Sequence, residues 1–251
     1  VLPKLDFAKG LPVDCSTIVV IPALVAKPTE IQSLVQQMET HWLSNNDKRL
    51  QVALLADLAD AETENLTGDV EINGQLIESI RSLNQKHGKN GLAPFHLLLR
   101  SRQYNDAENC WMAWERKRGK LEQFNQLLVA GDDSGFSVHE GNRAALTGIR
   151  FVITVDADTM LPTGTVTRLV GTLAHPLNIA RFDPKTGEII AGYSILQPRV
   201  EMAPQGVSRT FFTRFFAGDI AIDIYSRAVS NVYQDIFCRG IFVGKGIYDV
   251  A

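Results

Sequence analysis

Short, unbroken apolar runs alternate along this chain with stretches whose apolar positions recur at helical spacing. Residues 16–21 read as a buried strand closed by Pro22. Thr29 is a plausible N-cap for a helix whose stripe is Ile31, Leu34, Val35 and Met38, ending near His41 or Trp42. Residues 50–56 form a second strand ending at Asp57, and an acidic segment from Asp60 to Glu71 leads into a helix over 75–85. A loop at 86–91 precedes a third strand at 95–100. The spacing of Leu121, Phe124, Leu127 and Leu128 predicts a helix over 120–129, stopped by the Gly131–Gly135 segment. A fourth strand at 151–155, a helix from Thr165 to about Ala174 and a strand at 189–196 follow. Residues 207–232 predict a long helix or helix pair, and the glycine-interrupted 237–245 a loop that approaches a ligand.

Strand–helix alternation predicts an α/β fold with a mainly parallel, twisted sheet and helices on both faces. With 251 residues, 45% of them apolar, the chain can bury one large core, so a single domain over 1–251 is expected. A formal charge of −3 argues against general nucleic-acid binding. Cys15, Cys110 and Cys238 are far apart, without metal-ligand spacing, and read as reduced thiols. No run is long enough to span a membrane. The chain starts and stops abruptly, which reads as a soluble piece excised from a longer protein.

The strand at 151–155 ends on Asp156 and Asp158. Open α/β sheets bind ligands at the carboxyl ends of their strands. Alternation along an extended chain would point both carboxylates the same way, where they repel by about 4 kcal/mol at 4 Å and an effective dielectric of 20. A hard divalent cation would remove that penalty and leave positive charge over for a phosphate-bearing ligand. The plain alternative is a solvated strand end before the turn at 161–164. A third reading is a haloacid-dehalogenase-like phosphatase with Asp156 as nucleophile and Asp158 as acid/base; Met160 stands where that signature has Thr or Val.

Asp57 ends a strand where such sheets often place an acid against a base or ribose; a helix cap or strand-end acid is the alternative. The basic run Trp114 to Lys120 precedes a helix. Gly119 would let the backbone come close, and Lys120 would open the helix, tolerable if an anion sits at that N-terminus. Asn125 falls on the polar side, within reach of a sugar or Asp156. Phe211, Phe212, Phe215, Phe216 and Ile220 recur at helical spacing and read as a core stripe, or as a docking surface. Trp111, Trp114, Tyr225 and Tyr233 are candidates for stacking on sugar rings or for packing.

The strand at 17–21, Asp57, the Gly-Lys-x-x-x-x-Asn of 119–125 and Asp156-Ala-Asp158 resemble the ordered landmarks of GT-A glycosyltransferases of the processive synthase type. Residues 2–7, 114–120, 196–199 and 244–249 more closely resemble the glycosyltransferase family 84 domain of bacterial cyclic β-1,2-glucan synthases. The resemblance spans nearly the whole chain. It implies a UDP-glucose donor, a divalent cation, and transfer of glucose with inversion to the 2-hydroxyl of a growing β-glucan acceptor. It also implies a parent with membrane-spanning and phosphorylase-like regions, the domain facing the cytoplasm at the inner membrane. By the resemblance, Asp158 mainly holds the Mg²⁺ or Mn²⁺, Asp156 assists through the metal or the ribose, Lys120 assists at the diphosphate, and Gln197 and Arg199 approach the acceptor. The general base is expected beyond Ala251, with Asp235 and Asp249 the nearby acids. A non-catalytic donor-binding module is the remaining alternative.

Overall fold

The computed structural model describes residues 2–88, 93–198 and 244–250. The chain divides into two compact units, Val1–Leu196 with Gly246–Ala251, and Gln197–Lys245. Nearly all described residues belong to the first unit. The aromatic stripe at 211–220, Tyr225, Tyr233, Asp235, Cys238 and Arg199 lie outside the described residues.

The first unit is an α/β layer structure. Its strands are β1 (Thr17–Val25), β2 (Leu50–Leu58), β3 (Phe95–Arg100), β4 (Gln103–Asn105), β5 (Cys110–Met112), β6 (Val138–Glu140), β7 (Phe151–Thr154), β8 (Arg181–Phe182), β9 (Ile189–Ala191), β10 (Ile195–Leu196) and β11 (Gly246–Asp249). Its helices are α1 (Pro28–Ser44), α2 (Asp69–His87), α3 (Arg116–Ala130) and α4 (Thr165–Leu173). One seven-stranded sheet has the order β10-β11-β7-β1-β2-β3-β6. Its centre, β7-β1-β2-β3, is parallel; β11 and β6 run antiparallel to it at the flanks, and β10 pairs antiparallel with β11. β4 with β5, and β8 with β9, form separate two-stranded ribbons. Among the described residues no helix is long and apolar enough to cross a membrane.

The parallel centre forms because its strands have apolar side chains for both faces; all nine residues of β2 are buried. One face of β1, carrying Val19, Ile21, Ala23 and Val25, packs with Ile31, Leu34 and Met38 of α1, Leu76 and Ile80 of α2, and Val166 and Val170 of α4. The other face, with Ile18 and Val20, packs against Phe124 and Leu127 of α3. Helices therefore cover both faces, as the alternation predicts.

Several boundaries differ from the sequence reading. β1 runs through Pro22 to Val25 instead of closing there. The Val20 carbonyl accepts from Val155 on the β7 side. Pro22, two residues on, faces that same side, where β7 has ended at Thr154, so its missing N–H removes no ladder bond. Helix α1 starts at Pro28, before Thr29, because proline suits the first helical position and the Glu30 carboxylate accepts from the backbone N–H groups of Ala26 and Lys27. Helix α2 begins at Asp69 and runs to His87, so residues 86 and 87 are helical. The strand expected over 189–196 is two short pieces separated at Gly192, whose φ of +76° breaks the extension.

Candidate functional site

The parallel strands deliver chemistry at their carboxyl ends. Asp57, next to last in β2, lies in register with Arg100, the last residue of β3. Both are almost fully buried, 3% and 2% exposed. The Arg100 guanidinium forks onto the carboxylate, with Nε to Oδ1 and Nη2 to Oδ2 both at 2.8 Å. Its remaining donors reach the Trp114 carbonyl and Gln123 Oε1, each at 2.9 Å, and the Arg116 carbonyl at 2.8 Å. Arg100 thus ties two strand ends to the start of α3.

Lys120 completes this cluster. Its Nζ lies 2.9 Å from Asp57 Oδ2 and donates to the Ala23 carbonyl at 2.6 Å. Burial depresses the ammonium to a pKa of about 8, against the opposing pull of the Asp57 charge. The expectation that Lys120 opens the helix is corrected: α3 starts at Arg116, and Lys120 is turned into the protein. Gly119 does allow a close approach, but to the chain's own backbone. A Cβ there would stand 2.3 Å from the Trp114 carbonyl oxygen. Glu115 and Arg116 take left-handed φ values of 50° and 47°, a sparsely populated conformation for side-chain-bearing residues that folds 113–116 over the Arg100 fork. Outside, Arg116 bridges Asp60 at 2.9 Å and Glu108 at 2.8 Å, so Asp60 serves as an ion-pair partner.

Beyond β7 the chain does not stay extended. The Asp156 carbonyl accepts from the Thr159 N–H at 3.0 Å, closing a turn over 156–159. Gln37 of α1 clamps that turn, donating to the carbonyls of Asp156 at 3.1 Å and Thr159 at 3.0 Å. Strand alternation therefore does not set the two carboxylates, which is a correction to the extended-chain argument. Asp158 is exposed and accepts from the Thr159 hydroxyl at 3.3 Å. Asp156 is ion-paired with Lys117, from the first turn of α3; the two side chains are 35% and 39% exposed. Lys117 was not singled out by the sequence reading, nor were Arg100 and Gln37.

Asn125 is committed elsewhere: its Oδ1 accepts from the Tyr248 hydroxyl of β11 at 2.7 Å. Burial raises that phenol above its ordinary range. Asp249 is taken by Arg150, with Nε and Nη2 both 2.9 Å from Oδ2. Gln197 is exposed and follows β10 directly. Trp111 packs edge-on against Tyr104 at 5.7 Å and Trp114 is 41% exposed.

Among the described residues no group of three or more His, Cys, Asp or Glu side chains is arranged to hold a metal ion. A pair of carboxylates on one turn, one of them exposed, nevertheless suits a hard divalent cation. Such ions use one or two carboxylates and complete their shell with water and phosphate oxygens. Asp156 and Asp158 are the residues that could hold such an ion.

The sheet and its strand-end cluster define an α/β protein compatible with the Rossmann-like class of folds. No family model matches the chain. It is 42% identical over 246 residues to the cyclic beta-(1,2)-glucan synthase NdvB of Rhizobium meliloti (strain 1021). That match covers 98% of this chain and 9% of the synthase, so the chain is related to one small part of a much longer protein.

Proposed function

We propose that this chain is the donor-binding part of a glucan synthase, a GT-A-type glucosyltransferase taking UDP-glucose and a divalent cation. The observation that carries the reading is the 42% identity to a protein named as a cyclic β-1,2-glucan synthase, extending over 98% of the chain. The position of the polar cluster at the ends of the parallel strands supports it.

Asp158 and Asp156 would hold Mg²⁺ or Mn²⁺. When bound, the cation stabilises the charge that builds on the departing UDP. Asp57, Arg100 and Lys120 form the floor of the donor site: the Asp57 carboxylate engages both cations, and this holds α3 against the strand ends. Asn125, held by Tyr248, presents its amide nitrogen on the same helix. Gln197 and Arg199 are assigned to the acceptor. An α-linked donor giving a β-linked product requires inversion in one in-line displacement, with a general base at the acceptor hydroxyl. Asp249 is not offered for that role because Arg150 holds its carboxylate. The proposal includes a parent chain with membrane-spanning and phosphorylase-like regions at the cytoplasmic face of the inner membrane.

Calorimetric titration of the chain with UDP and UDP-glucose, with and without Mn²⁺, tests the reading. Binding that requires the cation and weakens about tenfold or more in Asp158→Asn is expected. No affinity for either nucleotide, or release of phosphate from simple phosphomonoesters through a phosphorylated Asp156, would overturn it.

A further inference from the structure

Helix α3 presents two lysines one turn apart, and the structure gives them different environments. Lys120 is 3% exposed and engaged by the Asp57 carboxylate and the Ala23 carbonyl. Lys117 stands at the partly open rim, on the carboxylate of Asp156. That carboxylate is also the one a divalent cation would use beside Asp158. An ammonium and a divalent cation on the same carboxylate repel each other unless an anion lies between them. A diphosphate is such an anion, because it accepts from an ammonium and a metal at once.

We infer that Lys117, rather than Lys120, is the lysine that binds the donor's diphosphate, and that it guards Asp156 against the cation until the nucleotide arrives. This rests on the donor reading above and adds an order to it. Cation and nucleotide bind cooperatively, since the cation alone must displace Lys117 from Asp156, whereas the nucleotide gives Lys117 a new partner. Linkage makes the effect reciprocal: what the nucleotide does for cation affinity, the cation does for nucleotide affinity. Lys120 takes no part in the exchange, because moving it would leave Asp57 and the Ala23 carbonyl short of a partner in the interior.

The test is calorimetry on the chain and its Lys117→Gln and Lys117→Arg variants, with Mn²⁺ alone and then with UDP at saturating Mn²⁺. Circular dichroism verifies that each variant is folded. Lys117→Gln should bind Mn²⁺ alone about fivefold or more tightly than the wild type, and bind UDP with Mn²⁺ about fivefold or more weakly. Lys117→Arg, which keeps the charge, should lie closer to the wild type than Lys117→Gln in both titrations. Wild-type cooperativity with unchanged affinities in Lys117→Gln would overturn this inference and leave the donor reading standing. Wild-type protein that binds no UDP under any condition would overturn both. A uniform loss of Mn²⁺ and UDP affinity in Lys117→Gln would also overturn it, since that result marks Lys117 as a merely structural residue.

Discussion

Replacing Arg100 by Met tests the idea that the Asp57 cluster is the structural floor of the site. Arg100 makes five hydrogen bonds from a side chain that is 2% exposed. Methionine fills similar space but removes both contacts to Asp57 and leaves the Trp114 and Arg116 carbonyls without this donor. Breaking a buried ion pair by removing one partner costs about 3–5 kcal/mol, chiefly because the other charge stays buried. Lys120 remains 2.9 Å from Asp57 and offsets part of this. Each uncovered carbonyl adds a desolvation cost of about 1 kcal/mol or more. The expected loss is therefore about 3–5 kcal/mol, against a total stability on the order of 5–15 kcal/mol for a native protein. Urea unfolding followed by circular dichroism measures it. The double variant Asp57→Leu with Arg100→Met should lose less than the sum of the two singles, because that sum counts their shared ion pair twice, but no less than Arg100→Met alone, because Lys120 then stays buried without its carboxylate. A single variant within about 1 kcal/mol of the wild type would refute the reasoning, as would a double variant that loses the sum of both singles.

Two further predictions concern stability. His41 is held at a pKa of about 4 by burial, and His96 at about 3 by burial and the nearby His139. Both sit below the unfolded value of 6.5, so under pH 6.5 the unfolded chain takes up protons that the folded chain refuses. Stability should fall as pH drops from 6.5 towards 4, by about 2 kcal/mol per pH unit where both contribute, and equal urea midpoints at pH 7 and pH 5 would contradict this. Gly119→Ala places a Cβ 2.3 Å from the Trp114 carbonyl oxygen and should destabilise by about 1–3 kcal/mol despite alanine's better helix propensity. Gly74→Ala in α2, where nothing lies within 4 Å, should instead stabilise by up to about 1 kcal/mol, and thermal melts of the two variants check the contrast.

The central sheet was legible because a parallel strand buried on both faces has no polar alternation, and β1, β2, β3 and β7 are all of that kind. The flanking antiparallel strands were not. β6 and β11 are three and four residues long, and none of the residues in β6 is fully buried. Their conformation comes from the partner strand rather than from local pattern. Pro22 misled for the same reason: whether a proline ends a strand depends on which neighbour its nitrogen faces, and that neighbour is β7, about 130 residues away in sequence. The early start of α2 turns on Asp69, whose charge suggests solvent but which pairs with Arg102 at 2.6 Å.

At the candidate site, Asp57 and Asp156 stand out in the sequence as acids ending apolar runs, whereas the burial of Lys120 and the partial exposure of Lys117 do not. Residues 116–120 are four basic positions and one glycine, so composition alone does not fix the helical register. The close approach at Gly119 fixes it, directing Lys120 inward and leaving Lys117 at the rim. Arg100 did leave a signal, an arginine ending a buried strand just as Asp57 ends the adjacent one, but only pairing the two strands in register reveals it.

The two carboxylates differ in what a ligand can do with them, and the magnitudes decide which is which. Separating Asp57 from Arg100 would expose the site to a penalty of about 3–5 kcal/mol, more than a single new hydrogen bond to a nucleotide returns, at about 1.5–3 kcal/mol even when charged. Asp57 therefore stays with its cations, and a direct contact from its carboxylate to a base or ribose is disfavoured. The Lys117–Asp156 pair is about a third exposed, a setting in which ion pairs contribute about 0–1 kcal/mol. On the donor reading proposed above, a cation arriving with a diphosphate would exchange that pair at a cost of about 1 kcal/mol. On that reading the same helix carries one lysine that holds the fold and one that responds to a ligand, and the buried cluster keeps Lys117 within reach of Asp156.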